Sequence, residues 1–106
     1  MKFELKGPFR GNIYNLMRKA SYHPAPLIKG RGKQRGELAF ARPPRGYPRF
    51  HLFVKVENDN LILNLHLDQK APIYEGAPAH SGEYDSEIVA KEAERIRQIL
   101  EYEKRN

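Results

Sequence analysis

Residues 49–68 read RFHLFVKVENDNLILNLHLD, and the alternation within this stretch decides the fold. Phe50, Leu52, Val54 and Val56 alternate with His51, Phe53 and Lys55; beyond the turn, Leu61, Leu63, Leu65 and Leu67 alternate with Ile62, Asn64, His66 and Asp68. A period of two on both sides of a polar turn predicts a β-hairpin with one buried face. For the even-numbered apolar set of one strand to share a face with the odd-numbered set of the other, paired residue numbers must have an odd sum. A turn centred on Asn58 and Asp59 makes that sum 117. His51 then lies opposite His66, Arg49 opposite Asp68 and Phe53 opposite Asn64, all pointing away from the leucine face.

Outward from the hairpin, residues 2–6 alternate, with Phe3 and Leu5 on one side, and Gly7-Pro8 stops the run, which predicts a short first strand. Asn12 can cap a helix over residues 12–21 in which Ile13, Leu16, Met17 and Ala20 form one apolar face, with Arg18 and Lys19 set against its C-terminal dipole. YHPAPLIKGRGKQRG (22–36) has no periodicity and is expected to be a loop. Residues 37–42 form a strand with Leu38 and Phe40 inward, joined to the hairpin by the proline-rich turn RPPRGYPR. Residues 69–85 make a long irregular connection, expected to be functional or draped over something. Asp85 or Ser86 caps a last helix with Val89, Ala93, Ile96 and Leu100 inward and a mixed Glu, Lys and Arg surface elsewhere.

The predicted class is α+β: a four-stranded, largely antiparallel sheet in the order β-α-β-β-β-α, with both helices packed on one face, in a single domain spanning 1–106. The other face, carrying Arg49, His51, Phe53, Lys55, Asn64, His66 and Asp68, is then expected to be open to water. At 106 residues the chain can bury one core unaided. Cysteine is absent, which excludes disulfides, thiolate metal sites and a cysteine nucleophile. No apolar run approaches the roughly 20 residues needed to span a bilayer, and MKFELKGPFRGN has no signal-peptide segment. The expectation is a cytoplasmic protein without membrane contact.

The formal charge of +6 conceals a division. Residues 1–55 carry 13 Lys and Arg against 2 acidic residues, or +11; residues 56–106 carry 6 against 11, or −5. Lys29, Arg31, Lys33, Arg35, Arg42, Arg45 and Arg49 form a dense basic cluster interleaved with Tyr22, Phe40, Tyr47, Phe50 and Phe53. Phosphate binding favours this pattern, because neutralised phosphates release counterions and aromatic faces can stack on bases. Together with His51, Phe53 and Lys55 these cations are the candidate nucleic-acid contacts, RNA before DNA. A dock for an acidic protein partner is the other use of such a surface. Gly30-Arg31-Gly32 lacks the flanking strand and helix of a nucleotide-binding loop.

His51, His66, Asp68, His80 and Glu83 are the candidate catalytic residues, with Asp85 nearby. Cross-strand histidines beside a carboxylate can orient one another as general acid and base in a phosphodiesterase-like hydrolase, or hold a divalent ion. The plainer reading pairs Asp68 with Arg49 and lets the histidines hydrogen-bond the long loop. No spacing matches a specific metal motif, so the sequence assigns no metal and no cofactor, and it leaves the oligomeric state open.

From residue 12 onward the order α-β-β-β-α resembles the double-stranded-RNA-binding domain. That family contacts its duplex through the turn between the first two strands of the trio and the start of the last helix. The resemblance implies such a contact for residues 42–49, whereas the last helix opens with Asp85, Ser86 and Glu87 where the family has lysines. HLDQKAPIYEGAPAHSGEYD (66–85) also resembles a signature of short bacterial proteins with no assigned function.

Overall fold

The computed structural model describes residues 1–25, 36–69, 82–83 and 86–105. Its centre is the hairpin of β4 (Arg49–Glu57) and β5 (Asn60–Asp68). The pairs run from Arg49 with Asp68, through His51 with His66, to Glu57 with Asn60, the register that the parity argument requires. Asn58 takes a φ of 56°, a left-handed turn conformation that asparagine tolerates better than most residues. On one side, β3 (Glu37–Arg42) pairs with β4, Phe40 meeting Leu52; on the other, β1 (Lys2–Leu5) pairs with β5, Phe3 meeting Leu63. Every pairing is antiparallel.

Two further strands enlarge the expected four-stranded sheet to six. β2 (His23–Pro24) adds to the outer edge of β3, and the Ala25 amide donates to the Ala39 carbonyl at 2.9 Å. β6 (Gly82–Glu83) pairs with Leu67 and Asp68, along the length of β5 beyond the reach of β1. Both lie in segments expected to be irregular. Two residues are too few to carry a period, and a proline lacking an amide is tolerated at an edge.

α1 (Ile13–Lys19) is capped by Asn12, whose side chain accepts from the Asn15 amide at 2.9 Å; α2 (Glu87–Glu101) is capped by Ser86, which accepts from the Val89 amide at 3.2 Å. Leu16 and Met17 of α1, and Val89, Ala93, Ile96 and Leu100 of α2, join the leucine face of the hairpin in one core. Each leucine fully buried there contributes about 1.5–3 kcal/mol. Among the described residues no helix is long and apolar enough to cross a membrane.

The opposite face departs from expectation. It is not open to water around the histidines: His51 and His66 are each 1% exposed, and Asp68 is 3%. Part of the reason is local. Phe53 stacks on His51 at a centroid separation of 4.7 Å and on His66 at 5.8 Å, and Ala39 and Ala41 of β3 lie beside Phe53 and His51.

Candidate functional site

The hairpin register sets His51 of β4 directly across from His66 of β5, and the two-residue strand period puts Asp68 on the same face. The Asp68 carboxylate lies between the rings: Oδ2 is 3.3 Å from His51 Nδ1, and Oδ1 is 3.3 Å from His66 Nε2. One donor atom from each of the three residues falls within 4.8 Å of the other two. The ring centroids of the histidines are 5.1 Å apart. Among the described residues neither nitrogen of His51 has a hydrogen-bond partner; its approach to Oδ2 is close but falls short of one. A buried polar group left so is costly, because water no longer compensates it.

Arg49 is paired in register with Asp68, yet the expected ion pair is not formed. Its guanidinium lies over the Tyr47 ring, 4.7 Å from the centroid. Of the other candidate catalytic residues, His80 and Asp85 lie outside the described residues, and Glu83 is described only as backbone of β6. Burial keeps His51 and His66 from meeting a nucleic-acid base or a substrate in this conformation.

The basic cluster is divided. Lys29, Arg31, Lys33 and Arg35 lie outside the described residues. Arg45 is exposed in the turn between β3 and β4, next to the exposed Tyr47, while Arg49, Phe53 and Lys55 are half-buried. Tyr22 and Phe40 belong to the core and are closed to bases.

Arg42 serves a different purpose. Its Nε donates to Glu92 Oε2 at 3.0 Å and its Nη2 to Oε1 at 2.9 Å. Arg95 donates to both oxygens of the same carboxylate, each at 2.9 Å, and to the Ala20 carbonyl at 2.6 Å; the Tyr22 hydroxyl donates to Oε2 at 2.7 Å. Glu92 is 5% exposed. Burial alone would raise its pKa, but the hydrogen bonds from Arg95, Arg42 and Tyr22 prevail and hold it below the ordinary carboxylate value. Burial, reinforced by the Glu92 charge, pushes the Tyr22 phenol well above its usual range. The helix pattern alone assigns Glu92 to the mixed Glu, Lys and Arg surface. Its signal was its spacing of three from Val89 and four from Ile96, on the buried stripe.

A second group of cations comes together only in the fold: Arg10, Arg18 and Lys19 line a surface cavity of about 330 Å³ with Asn15 and Glu103. Among the described residues, Lys2, Lys6, Arg10, Arg18, Lys19, Arg45, Arg49 and Lys55 form no ion pair. In α2 and just after it, by contrast, Lys91, Arg95, Arg97 and Lys104 each meet a glutamate. Comparison of the chain with family models, with curated proteins and with solved structures returns no match.

Proposed function

We propose that this chain is a small nucleic-acid-binding protein, RNA before DNA, that grips phosphates through the cations of its basic half. The observation that carries the reading is the absence of intramolecular ion pairs for eight described cations in residues 2–55, while α2 neutralises its own. Unneutralised cations sustain a positive surface potential, and each phosphate they engage releases condensed counterions. Arg45 and Arg49 provide this chemistry on and beside the β3–β4 turn, where the exposed Tyr47 offers the ring face that Arg49 does not cover, while Lys55 lies at the other end of β4, across from Glu37. His51 and Arg42 leave the contact set, the first because it is buried and the second because it is committed to Glu92.

The test is fluorescence anisotropy of labelled single-stranded RNA, duplex RNA and single-stranded DNA, titrated from about 50 mM to about 300 mM salt. The expected result is binding that weakens linearly in the logarithm of salt and favours RNA. Absence of binding to every probe near 150 mM salt overturns the reading and directs the search to an acidic protein partner.

A further inference from the structure

We propose that His51, His66 and Asp68 form a binding site for a divalent transition-metal ion of the zinc class. The inference is independent of nucleic-acid binding. Three observations carry it.

The first is spacing. Two donors held about 2.0–2.2 Å from one ion, at angles between octahedral and tetrahedral, are about 3.0–3.4 Å apart. His51 Nδ1 and His66 Nε2 each stand 3.3 Å from an oxygen of Asp68. The three donors together fit within 4.8 Å, so small side-chain rotations bring them onto a common ion. They also project from two adjacent strands whose register is fixed by the leucine face, so the backbone presents the set without rearrangement.

The second is the state of His51. It is 1% exposed, and among the described residues neither ring nitrogen has a hydrogen-bond partner. A structural histidine in a core normally has a donor or acceptor to satisfy it. A metal bond to a ring nitrogen satisfies the lone pair that the protein leaves without an aligned donor. Phe53 is stacked against both imidazoles and forms an apolar wall beside the pair.

The third is donor chemistry. Two imidazole nitrogens and one carboxylate oxygen suit Zn²⁺, Fe²⁺, Co²⁺ or Ni²⁺, whereas Mg²⁺ and Ca²⁺ prefer all-oxygen sets. Three protein ligands leave at least one coordination position for water or another group.

The experiment uses the intact chain stripped with a chelator and titrated with Zn²⁺, with Mg²⁺ as control. Long-range proton–nitrogen spectra follow the ring nitrogens of the four histidines. The expected result is one zinc per chain, a melting temperature that rises with zinc concentration and shifted ring-nitrogen resonances for both His51 and His66. Mg²⁺ should reproduce none of these changes. No zinc binding, or zinc binding that leaves either His51 or His66 unshifted, overturns the proposal. This readout needs no variant and so survives any misfolding of one. Where Asp68→Ala folds, zinc should bind it at least on the order of 100-fold more weakly, since even groups that only orient a metal ligand cost 10–100-fold. Equal affinity in that folded variant also overturns the proposal.

Discussion

Glu92 brings a carboxylate into the core only because Arg42, Arg95 and Tyr22 converge on it, so its energetics are read through those partners. Its pKa is held below the ordinary value of 4.5, so its contribution is present above that pH and is lost as pH falls through the folded-state value. Glu92→Gln should therefore cost about 3 kcal/mol at neutral pH, the lower end for a broken buried pair because both guanidinium groups are about one-third exposed. The acid limb of its stability profile should flatten, and the two profiles should converge once pH falls below the folded-state value; urea melts across pH check this. Tyr22 has the opposite sign. Its phenol is raised above 10.0, so its stabilisation is complete below that pH and is lost as pH rises above it. Tyr22→Phe keeps the ring in the core and should flatten the alkaline limb, at a cost of about 1.5–3 kcal/mol for the lost bond to a charged acceptor. Gly7 is constrained by space. Its amide donates to Asn60 Oδ1 at 3.1 Å, and a Cβ there would overlap the Asp59 carbonyl oxygen, so Gly7→Ala should lower the urea midpoint by about 1–3 kcal/mol equivalent.

At the scale of elements, sequence is informative where a period repeats often enough to count. The nine-residue strands β4 and β5 alternate throughout, and parity alone places His51 against His66. The cap Asn12 is equally plain, because a short polar side chain before an apolar stripe has few other uses, whereas the pattern before the last helix offers both Asp85 and Ser86 and the structure selects Ser86. β2 and β6 exist only because longer strands offer free edges, a tertiary fact that no local pattern carries. Register also explains why the candidate site was half legible. It sets which face the two histidines and Asp68 occupy, but not whether that face is covered. Likewise, the apolar stripe of α2 does not announce that Glu92 belongs to it. The turn of the hairpin provides its own test. Asn58 holds a left-handed φ of 56°, so Asn58→Gly should stay within about 0.5 kcal/mol of the parent. Asn58→Val should lose about 1–2 kcal/mol, because a β-branched side chain crowds the carbonyl in that conformation. Chemical denaturation measures both.

At the scale of the whole molecule, the division of charge between +11 and −5 becomes a division of labour among cations. Those of α2 are mostly consumed by neighbouring glutamates, and one cation of the basic half, Arg42, is drawn into the core by Glu92. Arg42 and Arg45 are three residues apart in one turn sequence, yet the structure assigns them to different free-energy terms. Arg45 is exposed and forms no ion pair among the described residues, so Arg45→Ala should leave the denaturation midpoint within about 0.5 kcal/mol. If Arg45 grips one phosphate, the same variant should reduce the magnitude of the logarithmic salt slope for single-stranded RNA by about 0.7. Arg42→Ala should do the reverse. It removes two hydrogen bonds to a buried carboxylate and should lower stability by about 1.5–3 kcal/mol, while the slope of the remaining folded protein stays at the parent value. Measuring both quantities on both variants separates the surface from the core. A slope that falls in Arg42→Ala but not in Arg45→Ala would place the phosphate contacts elsewhere than on the exposed turn.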